Sequence, residues 1–327
     1  MGATHAQAYS KIRNARVVAI FDTNRRSAAV IARRIGLRVP IYDDLDKALD
    51  AHPIDVIDLC LPTRFHSRYI RRALQARKHI FCEKPFAVDA REASSLAAAA
   101  ERARVKMQIG LCTRFWPEYQ ALRALVCGRS AGRLLSLSLQ RRCRRPPAKK
   151  IRLASSTGAA LELHLHDTDF VHYLLGRPKA VTSVGTKEGA GWAHLFTTYH
   201  FDGIAVTAEG GWNYPPRWGF QMAFQAVFER GVVEFDNRAE PPLAITWQDG
   251  SKRSLPFVRP RIRRSRSGLG PISELDGYFN ELAYFIGCLE HQRAPLMATP
   301  RQAVDSIRTV MAEIRSAESG RTIRLKR

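Results

Sequence analysis

The first third of the chain alternates short continuous apolar runs with segments of helical period. Val17-Val18-Ala19-Ile20-Phe21 is unbroken and apolar and closes on Asp22. Ser27 to Ile35 then places apolar residues three to four apart, the spacing of one helix face. Ile54 to Leu61 predicts a second buried strand ending at Pro62-Thr63, and Arg68 to Ala76 an amphipathic helix. Ile80-Phe81-Cys82 predicts a strand ending on Glu83-Lys84-Pro85, Ala87 to Arg104 an alanine-rich helix, and Lys106 to Leu111 a further strand. Strands apolar on both faces, each followed by a helix, predict a parallel sheet covered on both sides.

Near Arg114-Phe115-Trp116-Pro117 the period changes. Leu135 to Leu139 alternates apolar and polar, and Val181–Val184, Phe196–Phe201, Ile204–Glu209, Gln221–Phe228 and Val232–Phe235 also read as strands. This pattern predicts half-buried antiparallel or mixed strands. Helical spacing interrupts it at 160–175 and returns at Glu274–Leu289 and Pro300–Ser319. The predicted organisation is an α/β domain over 1–115 and an α+β domain over 116–327.

Composition narrows the class. The 327 residues are 45% apolar, ordinary for a globular chain of about two domains. No run of about 18 apolar residues crosses a membrane, and Met1 to His5 opens no secretion signal. The six cysteines (60, 82, 112, 127, 143 and 288) show no C-x-x-C spacing and several lie in apolar runs, which fits a reducing cytoplasm. Lys and Arg total 52 against 30 acids, a net charge of +22. Arg141 to Arg145 with Lys149-Lys150, and Arg259 to Arg266, concentrate that charge in two stretches that read as basic, polar loops. An anion or nucleic-acid binder is one reading of it. Arginine also recurs on ordinary helix faces (Arg33-Arg34, Arg71-Arg72), and no helix-turn-helix, zinc-finger or aromatic RNA-binding motif accompanies the charge.

Two stretches carry candidate chemistry. Ligands of open parallel sheets bind beyond the carboxyl ends of the strands, which is where Glu83-Lys84-Pro85 falls. A lysine held there can donate or accept a proton. Glu162 and His166, four apart in Gly158 to Asp169, share a face if the segment is helical, so the carboxylate can orient the imidazole. His164-x-His166 would share one face only on a strand; on a helix the two rings diverge, and no further metal-ligand set is visible. The glycine-rich fingerprint of a dinucleotide-binding turn is represented by Gly2 alone, yet Asp22 follows 20 residues later, the interval of the acid that holds an adenosine ribose.

Together these stretches resemble one family over nearly the whole chain: the glucose–fructose oxidoreductase, inositol dehydrogenase and rhizopine-catabolism (Gfo/Idh/MocA) oxidoreductases. His79 to Pro85 matches its most specific motif; Cys60-Leu61-Pro62-Thr63 with His66, Gly158 through Asp169, and Tyr278-x-x-Glu281-Leu282-x-x-Phe285 with Pro295 resemble three others. The resemblance implies a Rossmann domain binding NAD or NADP and hydride transfer to or from a hydroxyl-bearing carbon of a sugar, cyclitol or related polyol. It implies Lys84 as acid–base lysine, with Glu162 and His166 on the reacting hydroxyl and carbonyl and Arg114 near the substrate. Gly2, Asp22, Pro62, Thr63, His66 and Glu83 would face the cofactor. Asp22 favours NAD, while Arg25 and Arg26 could meet the 2′-phosphate of NADP. A homodimer or homotetramer is implied through the second domain's sheet. Departures from the motif are Ala159, where a second glycine is usual, and Glu162, one methylene longer than the usual aspartate. The family's first strand and first glycines are not present before Gly2. The expectation is that Met1 is an internal methionine of a longer G-x-G-x-M-G turn; a chain starting here should bind dinucleotide weakly and dissolve poorly. A cofactor-sensing or inactive family member is the second reading that follows.

Overall fold

The computed structural model describes residues 1–147, 157–260 and 275–325. Lys149-Lys150 and the 261–266 part of the second basic stretch lie outside the described residues. Strands and helices alternate first: α1 (Gly2–Tyr9), β1 (Ile20–Phe21), α2 (Arg25–Arg34), β2 (Ile41–Tyr42), α3 (Leu45–Ala51), β3 (Val56–Leu59), α4 (His66–Gln75), β4 (His79–Glu83), α5 (Ala90–Ala103) and β5 (Met107–Gly110). All pairings here are parallel, but they form two ladders, β1-β2 and β3-β4-β5. Within the expected strand Val17–Phe21, Ile20 and Phe21 pair with β2. Beneath the three-stranded ladder Ile80, Leu96, Ile109 and Ile70 are fully enclosed.

A turn at Cys112–Phe115 leads to α6 (Pro117–Gly128), which the sequence reading had passed over. Pro117 at its start and Glu118 in its first turn are the start signals that mark it. Then come β6 (Leu134–Arg144), a π-helical turn (Ala160–His164), α7 (Leu165–Leu175), β7 (Ala180–Glu188), β8 (Gly191–His200), β9 (Ala205–Tyr214), β10 (Phe220–Phe228), β11 (Gly231–Asp236), β12 (Leu243–Trp247), β13 (Lys252–Ser254), α8 (Asp276–Glu290), α9 (Pro300–Ser319) and β14 (Ile323–Arg324). One nine-stranded sheet runs β13-β12-β11-β10-β6-β9-β8-β7-β14, antiparallel except where β6 meets β9. The apolar alternation seen in the sequence faces Phe170, Val171, Tyr119 and their neighbours on one side.

The structure differs from one expectation and adds to a second. Arg141 to Arg144 are not loop but the end of β6, paired with β10 and β9. Strand alternation turns Arg141 inward onto Asp167 at 2.9 Å and Arg142 to the other face, onto Glu209. The linear boundary near 115 is also not the limit of packing. Leu282, Phe285 and Ile286 of α8 pack on Ala8, Tyr9 and Phe81, and Ala303, Val304, Ile307 and Val310 of α9 share a core with α5 and β4. Arg301 of α9 pairs with Glu101 of α5, and the Ile109 amide of β5 donates to the Ala298 carbonyl at 2.8 Å.

Candidate functional site

Lys84 leaves the carboxyl end of β4 and reaches the π-helical turn. Its ammonium donates to the Glu162 main-chain oxygen at 2.7 Å and stands 3.5 Å from Oε2 of the same residue. The longer carboxylate therefore still meets the lysine. Both side chains are about one-fifth exposed (15% and 23%), so the pair borders solvent rather than lying sealed. Single π-helical turns widen the backbone locally and are common at functional positions; this one carries Glu162 and is followed within two residues by His166.

His166 is half-buried, with Nδ1 3.4 Å from the Thr113 hydroxyl. Withdrawal from water, then the cationic Lys84 and Arg141, push its imidazole well below the ordinary histidine range. A neutral imidazole beside an ammonium is a proton acceptor next to a proton donor. His164 turns the opposite way, fully buried, with Nε2 3.1 Å from the Thr197 hydroxyl and 3.4 Å from Glu313. Burial pushes it down to about 3 and Glu313 up to about 8. The divergence of the two rings expected from helical spacing is observed, and it gives His164 a structural place. A Cβ on Gly210 would stand 2.6 Å from His164 Nδ1, so glycine is required there. Ala159 is fully buried with φ −61°, an ordinary helical conformation that a Cβ does not disturb.

The other candidate residues divide. Asp22 ends β1, and its Oδ1 accepts from the Asn24 amide at 2.7 Å, a turn contact that occupies one oxygen. Arg25 and Arg26 open α2 beside it, exposed. Pro62 and a buried Thr63 follow β3. Asp22, Pro62-Thr63 and Lys84 thus all follow the carboxyl ends of parallel strands, the side where a dinucleotide lies in open parallel sheets. Gly2 opens α1 against Cys60, with ordinary space for a Cβ at 3.6 Å, so it is no turn glycine; it offers helix N-terminal amides instead. These residues fit a dinucleotide along that edge.

Three residues do not take the places expected of them. His66 is fully enclosed: Nε2–H donates to the Leu61 carbonyl at 2.8 Å, and Nδ1 lies 3.4 Å from the Cys82 thiol. Burial lowers its affinity for a proton. It ties the end of β3 to β4. Glu83 is likewise turned inward, with Oε1 on His5 at 3.0 Å and Oε2 on the Lys84 amide at 3.0 Å. Gly110 makes room for it, since a Cβ there would come within 3.1 Å of the carboxylate. Arg114 is 1% exposed and clasped by both oxygens of Asp169 at 2.7 Å, with Gln302 on its third nitrogen. A guanidinium so enclosed braces the turn after β5 against α7 and α9, with three of its five N–H donors committed there.

Sequence reasoning missed His5, Thr113, Arg141 and Asp167. His5 is 1% exposed, with Nδ1 2.8 Å from Asp58 and Nε2 on Glu83. Its signal was available: in a helix opening at Gly2, position 5 lies one turn in, on the face that meets β3 and β4. Arg141 and Asp167 were hidden by reading the arginine run as loop.

Comparison with known proteins bears on this arrangement. Residues 1–111 match the model of the oxidoreductase family with an NAD-binding Rossmann fold, and residues 119–234 match the GFO/IDH/MocA C-terminal domain. Inositol 2-dehydrogenase of Leifsonia xyli subsp. xyli is 30% identical over 258 residues, covering 76% of this chain and 73% of that protein. Inositol 2-dehydrogenase of Rhizobium meliloti is 26% identical over 336 residues, covering 99% and 96%. A solved levoglucosan dehydrogenase, in complex with NADH and levoglucosan, superposes with TM-score 0.86 at 20% identity, covering all of this chain and 97% of that one.

Proposed function

Since the chain belongs to the Gfo/Idh/MocA oxidoreductase family, we propose that it oxidises a ring hydroxyl of a cyclitol or sugar, with Lys84, Glu162 and His166 around the reacting carbon. The observation that carries this reading is the meeting of Lys84 from β4 with Glu162 from the π-helical turn, beside a neutral His166. The inositol dehydrogenases among its relatives support a cyclitol as the first substrate to test.

When bound, a nicotinamide dinucleotide supplies the hydride acceptor. The residues of this chain handle the proton and the orientation. Glu162 fixes the Lys84 ammonium, which donates a hydrogen bond to the substrate oxygen and favours its loss of a proton. His166, kept neutral by burial and lying at Nδ1 beside Thr113, adds a hydrogen-bond partner at that oxygen, and the proton is handed through the lysine to Glu162 at the solvent border. Asp22 holds the adenosine ribose through its second oxygen and favours NAD. In this reading residues 1–115 carry the cofactor and 116–327 the substrate, and copies associate through the outer face of the large sheet, where Val184 and Phe196 are exposed. All six cysteines are free, which suits a reducing compartment, and no helix among the described residues is long and apolar enough to cross a membrane.

Lys84→Ala should lower kcat by about 10²–10⁴-fold while leaving dinucleotide binding intact. Steady-state NAD reduction on a panel of cyclitols and sugars, beside cofactor fluorescence titration, measures both. Undiminished turnover of the variant would remove Lys84 from the mechanism. Dinucleotide binding with no turnover by the unaltered chain on any polyol would favour the second reading, a cofactor-binding member without catalysis, for which the inward turn of Glu83 is the supporting observation.

A further inference from the structure

Behind Lys84, on the interior side of β4, four metal-ligating side chains converge on one imidazole. His5 of α1 faces Asp58 of β3 and Cys60 through Nδ1, at 2.8 and 3.3 Å, and Glu83 of β4 through Nε2 at 3.0 Å. Glu281 of α8 completes the group: one ligand atom each from His5, Glu83 and Glu281 lie within 4.8 Å of one another, and all three residues are buried. Glu281 is 0% exposed, and neither carboxylate oxygen has a hydrogen-bond partner among the described residues. A buried carboxylate without a partner is costly. An acidic cluster alone would not indicate a site; an orphaned, fully enclosed carboxylate aimed at an imidazole and a second carboxylate does.

We propose that His5 Nε2, Glu83 and Glu281 form a binding site for a borderline divalent cation, Zn²⁺ in the first instance. Histidines that ligate metals almost always donate their other ring N–H to a carboxylate, which fixes the tautomer. His5 already has that arrangement: Nδ1–H donates to Asp58 Oδ2, leaving Nε2 to coordinate. One nitrogen with two carboxylates suits Zn²⁺. Mg²⁺ is disfavoured because it prefers oxygen donors and keeps most of its water.

Ligation in this cluster needs His5 Nε2 unprotonated and both carboxylates ionised. Other titratable groups packed around it are Tyr9 on α1, Asp58 and Cys60 at β3, Cys112 after β5 and Tyr278 on α8. None of these needs to change protonation. The cation would join α1, β4 and α8, three elements far apart in sequence. This rests on the cluster's geometry and not on the dehydrogenase reading.

Calorimetric titration of chelator-treated full chain with ZnCl₂, in two buffers of different ionisation enthalpy, tests it. One equivalent should bind with release of protons, and affinity should rise with pH, because the ligand atoms bind metal only when deprotonated. Glu281→Gln, an isostere of the protonated acid, should preserve the metal-free melting temperature and weaken Zn²⁺ binding at least ~10-fold. Cys60→Ser should leave affinity within about threefold, since a thiol hydrogen-bonded to Nδ1 is not a ligand in this geometry. Absence of binding at 100 μM Zn²⁺, taken as roughly a thousandfold above an ordinary zinc-site constant, overturns the proposal. So does undiminished binding by Glu281→Gln, which would assign the zinc to surface histidines, or loss of binding in Cys60→Ser alone, which would move it to the Nδ1 side.

Discussion

The two sheets of this molecule hold their functional side chains by different means. In the large sheet, strands of up to 11 residues pair along most of their length, and β6 alone sets Arg141 and Arg142 on opposite faces by ladder geometry. In the parallel region the strands are two to five residues long and lie in two separate ladders. There the ends of the strands are fixed by side-chain ties: His66 between Leu61 and Cys82, and His5 between Asp58 and Glu83. Lys84 therefore owes its position to buried imidazoles as much as to its strand. A ladder distributes its stability over many bonds, whereas a tie concentrates it in one residue.

That contrast can be broken most directly by hydrogen exchange. Amides of β6, β9 and β10 should open only with global unfolding, on the ~5–15 kcal/mol scale of whole domains. Those of Ile20, Phe21 and the strand Ile41–Tyr42 should exchange through local openings several orders of magnitude faster. Equal protection would show the small ladders to be as cooperative as the large one. A smaller effect tests the junction between the regions. Asp169→Ala leaves the buried Arg114 guanidinium without its carboxylate and should destabilise by about 3–5 kcal/mol in denaturant melts. A loss under ~1 kcal/mol would mean the two regions are not braced there. The smallest effect concerns the polar spine under the large sheet. Glu313 holds its proton up to about 8 when folded but loses it near 4.5 when unfolded, so folded stability falls as pH rises through that window. Between pH 6 and 8 the loss is ~2–3 kcal/mol at about 1.4 kcal/mol per unit, and Glu313→Gln should flatten it in thermal melts. The same slope in both proteins would place the titration elsewhere.

The sequence was most readable where one local rule decides the outcome. Continuous apolar runs located β3, β4 and β5, and alternation located most of the large sheet, because burial on two faces or on one leaves those periods directly in the chain. Lys84 and Glu162, which meet in the fold, stood out because a charged strand end and a carboxylate one helical turn from a histidine are local patterns. The interior partners of Arg114, His66 and Glu83 were not legible, for one physical reason. Whether a charged side chain faces a cleft or an interior partner depends on residues far away: Asp169, 55 positions on, for Arg114, and His5, 78 positions back, for Glu83. Arg141 was hidden by the assumption that consecutive arginines stay in water, which fails when an inward strand position meets a buried aspartate.

The return of α9 to the first region has a consequence for how the chain is made. Val304, Ile307 and Val310 close the core over α5, and the Ile109 amide finds its acceptor only at Ala298. During synthesis the residues through Gly110 emerge well before the helix that covers them. Contacts separated by nearly 200 positions form late, and apolar surface left open meanwhile is a site for chaperones or for aggregation. The first region is thus first in the order of translation and among the last to be finished, and a ribosome stalled near residue 290 would present it with one wall of its core missing.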